Sequence, residues 1–566
     1  MAGATKELPK LSRTMRRVFG IEKLRPGQED VIRSVVEGRD TLAVMPTGAG
    51  KSLCYQLPAL HMRGTTVVVS PLISLMKDQV DKLGDAGVDA AQLNSALTAS
   101  ERRENIEQIE NEESRFVFTT PERLTNPEFL ETLSKSDVDF VVIDEAHCIS
   151  EWGHDFRPAF LALGAAVRAL GRPPVLALTA TATPEVVADI RKQLGLRDMR
   201  VINTGIYREN LRYEVVRVTN ELEKREQLSR LLGEIEGSGI VYCATVKTVE
   251  ALAEFLEGSG HRVGKYHGKL PSRERRETQE SFMRGEVDAM LATNAFGMGI
   301  DKPDIRFVVH YQMPGSLESY YQESGRAGRD GEEARCVLLY QLDDRRTQLF
   351  FMGGKHPKAD DVVAVYDALK AVRAEESPAP LARVVECAPG VAETKVRVVL
   401  SLLKDLKAVG EARYAHFRLL KGDLARGEIE QLSRECEAKA EKDREKLERM
   451  MLYGQSAACR WRLLHEYFGE DFPEESCGHC DNCLDPLERQ LGMEQRPEPA
   501  APANVKSEPK PARARTKREL ELNAGDAVRL PKFGKGSVVS VADDKVEVKF
   551  PDGELRTFKK EFVKRA

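Results

Sequence analysis

Short, uninterrupted apolar runs, each closing on a polar or glycine-containing turn, dominate the first part of the chain. DTLAVM (40–45), TTVVVS (65–70), RFVFTT (115–120), DFVVID (139–144) and PVLALTAT (174–181) alternate with helical or loop segments. Runs without in/out alternation, separated by helices, are the pattern of parallel strands covered on both faces. A second series follows in GIVYCAT (239–245), DAMLATNAFGMGID (288–301), RFVVHYQM (306–313) and ARCVLLY (334–340). The pattern therefore predicts an α/β protein with two parallel-sheet lobes.

Beyond the second lobe the period changes. Segments 360–372, 380–388 and 393–410 read as amphipathic helices, and 411–422 as a wing-like strand pair, together a winged-helix-like insertion. A highly charged helix follows over about 428–453. Residues 487–520 are rich in Pro, Ala, Lys and Arg and lack any apolar period, which predicts a flexible basic linker. From 522 to 565, short alternating runs with tight Gly and Asp-Gly turns predict a small β-barrel.

Composition narrows the class. A hydrophobic fraction of 41% and a charged fraction of 31% over 566 residues describe several globular domains with no bilayer-spanning run. No signal-type segment opens the chain, so its ten cysteines are expected to be thiols or metal ligands in a reducing compartment. The net charge of -5 gives no bulk attraction to polyphosphate, so a nucleic-acid surface would have to be a local basic groove.

In MPTGAGKS (45–52) a strand runs through a glycine-rich turn into a helix. The backbone amides of Gly48, Ala49 and Gly50 can close around phosphate oxygens at the helix N-terminus, with Thr47 at the end of the strand. Lys51 would neutralise the terminal phosphates, and Ser52 would offer a hydroxyl to magnesium. Met45 stands where the general pattern has its first glycine. Asp144, closing the next buried run, supplies the carboxylate that magnesium needs, and adjacent Glu145 can orient or deprotonate water. The hydroxyls of LTATAT (178–183) would either link nucleotide to nucleic acid or simply cap strand ends.

The second lobe has no phosphate loop but carries YYQESGRAGRDG (320–331). Gln322, Arg326 and Arg329 recur there at helical spacing, and the arginines could reach a triphosphate held on the first lobe. Near the C-terminal end of the charged region, Cys477, Cys480 and Cys483 in CGHCDNC, with Cys459 upstream, predict a closed tetrahedral zinc site, with His479 as a possible substitute ligand.

LRPGQ (24–28), MPTGAGKS, SPLISLMKDQ (70–79), TTPERL (119–124), DEAH (144–147), LTATAT, TNAFGMGIDKPD (293–304) and QESGRAGRDG (322–331) together resemble the RecQ-type helicases of superfamily 2. The resemblance implies RecA-like lobes over 1–207 and 208–352, then the insertion at 353–424, a helical zinc subdomain at 425–486, the linker and the tail at 521–566. It implies ATP, Mg2+ and Zn2+ as cofactors and 3'-5' unwinding of DNA in repair or recombination. A DNA translocase, or an ATP-gated adaptor linking DNA to RNA polymerase, is the alternative.

Within the resemblance, Arg25 and Gln28 match adenine-reading positions, with Ile21 where an aromatic is common. CISEWGHDFRPAF (148–160) matches an aromatic-rich loop in which Trp152 and Phe156 stack on bases while His147, His154 and Arg157 couple them to the nucleotide; a core role for the two aromatics is the alternative. The family match assigns the four cysteines to zinc. The tail resembles the Tudor-like tail of UvrD/PcrA helicases, implying RNA polymerase or another protein as partner. A bacterial cytoplasm, at the nucleoid, is the expected location.

Overall fold

The computed structural model describes residues 4–486, except 112, 151–156, 197, 298–299, 301, 413–415 and 422–425, and within 524–565 the strands of a separate unit. In the first lobe the apolar runs become strands β1 (Thr41–Val44), β2 (Thr65–Val69), β3 (Ala90–Leu93), β4 (Phe116–Thr119), β5 (Val138–Ile143), β6 (Val175–Thr179) and β7 (Arg200–Asn203). They form one parallel sheet in the order β3-β4-β2-β5-β6-β1-β7. Both faces are covered. Leu42, Val67 and Val141 face one apolar cluster, and Ala43, Val68 and Val142 face the other. That is why the runs read as continuous rather than alternating.

The second lobe repeats the plan with β8 (Leu211–Arg217), β9 (Ser238–Tyr242), β10 (Val263–Tyr266), β11 (Ala289–Ala292), β12 (Ile305–His310) and β13 (Ala334–Tyr340), ordered β10-β11-β9-β12-β13-β8 and all parallel. In such sheets ligands gather at the carboxyl ends of the strands. Met45, Asp144 and Ala180 follow directly on β1, β5 and β6.

Residues 359–419 form helices Ala359–Ala371, Leu381–Glu386 and Glu393–Asp405 and a sheet of β14 (Ala379–Pro380), β15 (Val409–Ala412) and β16 (His416–Leu419). The connectivity helix, strand, helix, helix, strand, strand is that of a winged helix, and Val365, Leu369, Leu400 and Phe417 give it a core of its own. The third helix stops at Asp405, earlier than its amphipathic period predicts. Lys407 takes φ 54, and Ala408 and Val409 are buried as the chain enters β15. Lys395 and Arg397 are spent on ion pairs with Asp361 and Glu393, at 2.9 and 2.8 Å.

The long helix Arg426–Gln455 serves two cores. Ile429 and Leu432 near its start join the winged-helix cluster, while Leu447, Met450 and Tyr453 join the core of the second lobe. Trp461, Leu464 and Phe468 of helix Arg460–Phe468 join that same lobe core, as do Cys459 and Cys480. The cysteine-bearing segment is thus a platform built onto the second lobe.

In the separate unit, β17 (Ala527–Leu530), β18 (Gly534–Ala542), β19 (Lys545–Lys549), β20 (Leu555–Lys559) and β21 (Lys564–Arg565) form an antiparallel sheet in the order β20-β19-β18-β17-β21. Val528, Val538, Val546, Val548 and Phe550 form its core. Among the described residues these strands pair as a five-stranded antiparallel sheet with β20 and β21 at its two ends. The predicted linker, 487–520, lies outside the described residues.

Candidate active site

A cleft of about 890 Å³ is lined by both lobes. On one wall, the turn after β1 carries Gly48 and Gly50 at φ 86 and 77, conformations that suit glycine, and Ser52 immediately precedes helix Leu53–Ala59. Lys51 is drawn inward, its Nζ donating to Met45 O at 3.2 Å. Burial holds its pKa below the usual lysine range, opposed by the charges of Glu145 and Asp144.

The carboxyl of Asp144 stands well above the usual carboxylate range. Burial, reinforced by the charge of Glu145 and opposed by Lys51, pushes it up to about 7. Its Oδ1 accepts from Glu145 N at 3.0 Å and its Oδ2 from Ser70 Oγ at 3.4 Å. Glu145 takes φ 51, a strained backbone for a non-glycine residue. Its Oε2 is buried without a hydrogen bond, 3.4 Å from His147 Nδ1. Two adjoining carboxyl groups, Glu145 with one oxygen lacking a hydrogen bond, are what a hard divalent cation suits, and Ser52 adds a neutral oxygen to the same cleft. His147 Nδ1 is also 3.1 Å from Thr179 Oγ1, and that hydroxyl donates to Thr181 O at 2.9 Å. The DEAH and LTATAT segments therefore share one hydrogen-bonded unit.

Gln28 is almost wholly buried. Its Nε2 donates to Ala49 O at 3.0 Å and Gly50 O at 2.9 Å, and its Oε1 accepts from Arg25 N at 2.8 Å. Arg25 Nη1 donates to Gly48 O. Both residues brace the phosphate loop. Phe19, Ile21 and Lys23 also line the cleft. Phe19 and Lys23 carry no chemical motif and escape a reading by sequence; Phe19 supplies an aromatic two residues ahead of Ile21.

The opposite wall is helix Leu317–Ser324 and the turn after it. Gln322, Arg326 and Arg329 all line the cleft, and Arg326 Nη1 donates to Gly297 O. The lobes touch here: a Cβ built on Gly325 would stand 3.3 Å from Thr47 Cβ. Of the aromatic-rich loop, Trp152, His154 and Phe156 lie outside the described residues. Arg157 Nη1 donates to Pro71 O at 3.3 Å, and Pro71 lines the cleft.

Cys459, Cys477, Cys480 and Cys483 bring their sulfurs within 4.8 Å of one another. Two of the separations are 3.3 and 3.8 Å. Four thiolates about 2.3 Å from a tetrahedral zinc stand about 3.8 Å apart, so the cluster fits Zn2+. His479 Nδ1 lies 2.7 Å from Cys477 O, a backbone contact outside the sulfur cluster.

Two parallel-sheet lobes with a phosphate loop on one wall of the cleft and arginines on the other define a two-lobed helicase motor. Family models agree: DEAD/DEAH box helicase matches residues 25–190, helicase conserved C-terminal domain 223–331 and RecQ zinc-binding 422–484. The chain is 38% identical over 481 residues to the probable ATP-dependent DNA helicase RecS of Bacillus subtilis, covering 84% of this chain and 92% of that one. It is 49% identical over 339 residues to the ATP-dependent DNA helicase RecQ of the same organism, covering 59% of this chain and 56% of the relative. It thus spans little more than half of that RecQ. The chain belongs to the RecQ family of superfamily 2 helicases. A structure of Mycobacterium smegmatis helicase Lhr bound to ssDNA and AMP-PNP shares the fold, at TM-score 0.50 and 20% identity over 75% of this chain and 61% of that chain.

Proposed function

We propose that the chain is an ATP-dependent DNA helicase that moves 3'-5' and serves repair or recombination. The observation that carries this reading is the apposition of the Arg329 turn and the phosphate loop, which makes hydrolysis depend on how the lobes meet. Lys51 neutralises the terminal phosphates and the loop amides from Gly48 to Gly50 cradle them. Ser52 and Asp144 would hold magnesium, which would supply further neutralisation of phosphate charge. Glu145 orients the attacking water and takes its proton, while Arg326 and Arg329 stabilise charge that develops during transfer. Gln322 positions the same phosphate group from the second lobe.

Trp152 and Phe156 stack on unpaired bases, and His154, with Arg157 braced on Pro71, returns that contact to the cleft. The sheet at the C-terminus recruits RNA polymerase or another protein. A pull-down in which deleting 521–566 leaves polymerase recovery unchanged would remove that part. Work on DNA puts the protein at the nucleoid; no described helix is long and apolar enough to cross a membrane. The deciding experiment is strand displacement on 3'-tailed, 5'-tailed and RNA duplexes. Release of the 3'-tailed DNA alone is expected, and hydrolysis without displacement of any duplex would favour the translocase.

A further inference from the structure

Between β7 and β8 the chain crosses from one lobe to the other through residues 204–210, a stretch without hydrophobic period or known motif. Two of its side chains turn back under the arginine-bearing wall. Arg208 Nη1 donates to Gly325 O at 2.8 Å, and its Nη2 donates to Ala327 O at 2.8 Å and also to Gly328 O. These carbonyls belong to the turn that ends helix Leu317–Ser324, so the guanidinium sits at the negative end of that helix dipole. Asn210 Nδ2 donates to Gly328 O and Glu332 O, each at 2.8 Å. Gly328 takes φ 56, and a Cβ there would fall 2.4 Å from Asn210 Nδ2. The turn is therefore pinned by two side chains that do not line the cleft, and Arg329 is the next residue along it.

The crossing segment is itself held by the cysteine platform. Glu470 accepts from Asn203 Nδ2 at 2.8 Å and from Ile206 N at 3.1 Å. Tyr207 meets Trp461 edge-on at 4.9 Å, and Trp461 Nε1 donates to Leu211 O at 3.2 Å. One continuous set of contacts thus runs from the platform, through Arg208, to the turn beside the phosphate loop.

We propose that Arg208 is a positioning residue for ATP hydrolysis, holding the Gly325–Gly328 turn so that Arg329 faces the phosphate loop, with the cysteine platform setting where Arg208 stands. The inference rests on the cleft being the hydrolytic site proposed above. A planar guanidinium can bridge three carbonyls at once, whereas a lysine ammonium presents no such fork.

The test uses the full chain with single-stranded DNA, measuring kcat for ATP hydrolysis and, separately, affinity for a fluorescent ATP analogue. Arg208→Ala is expected to lower kcat roughly a hundredfold, the cost of a small misplacement in a catalytic group, while affinity changes less than about threefold. Arg208→Lys should fall between the two. In an Arg329→Ala background, adding Arg208→Ala should change kcat less than about twofold, because both act through one group. Equal losses in affinity and kcat, or a full multiplicative loss in the double variant, would overturn the inference. If Arg208→Ala loses its cooperative melt, Arg208→Lys carries the same comparisons. A parent chain that binds nucleotide but never turns it over would remove the proposed function itself, whereas multiplicative loss in the double variant removes this inference alone.

Discussion

Arg329 and Gly48 face each other across the interlobe cleft: a Cβ built on Gly48 would stand 3.4 Å from Arg329 Cγ, at van der Waals contact. The phosphate loop and the arginine turn are thus shaped against each other, and small changes on either wall should register in turnover.

Gly48→Ala adds that Cβ at φ 86. A non-glycine residue held there costs about 1–3 kcal/mol, and the methyl group would lie in contact with Arg329. The expected result is a kcat for ATP hydrolysis lowered roughly tenfold or more. The melting temperature, read in the same samples, should move by only a few degrees, since the strain is confined to one turn.

Lys51→Ala removes the buried cation that offsets Asp144 and Glu145. DNA-stimulated ATP hydrolysis should vanish while affinity for single-stranded DNA, followed by fluorescence anisotropy, stays largely intact. Persistence of full hydrolysis would sink the assignment of this loop.

Gln28 donates to two loop carbonyls through one amide nitrogen. Gln28→Ala deletes both bonds, and Gln28→Glu can set carboxylate oxygens against the same carbonyl oxygens. The glutamate should therefore raise KM for ATP more than the alanine does, the reverse of the order expected if only side-chain volume mattered. Steady-state kinetics of the two variants decides it.

The pKa of Asp144 is raised by burial and by Glu145, so in the metal-free protein a proton occupies this carboxyl up to about pH 7. Magnesium held at Asp144 would have to displace that proton, so its affinity should rise as pH is raised toward 7 and level off above. Titrations at several pH values test this, and Asp144→Asn should abolish the slope.

Zinc removal should reach the second lobe. Cys480 is fully buried and shares its cluster with Tyr320 and Trp461. A strong chelator, or Cys480→Ser, should lower the melting temperature of the lobe and platform as one transition. A separate, low-temperature platform transition would show that the two cores are independent.

Much of this protein was legible in one dimension. Parallel strands buried on both faces must be apolar throughout, so the runs around Val68, Val142 and Val309 announced two sheets without any tertiary information. A phosphate-binding turn draws its amides and lysine from residues adjacent in the chain; hence Gly48 to Ser52 could be proposed as one from the sequence alone, and the structure places Gly48, Gly50, Lys51 and Ser52 together on the cleft wall. The four cysteines were legible for the same reason of spacing. What the sequence could not determine were relationships among residues far apart in the chain. Arg208 carries no motif, and its role is written only in which carbonyls it meets more than a hundred residues away. Nor could local pattern show that the cysteine platform builds onto the lobe core through Trp461, because an amphipathic helix records that one face is buried but not against what. Helix ends were decided the same way: the periodicity ran on past Asp405, and the burial of Ala408 and Val409 ended it.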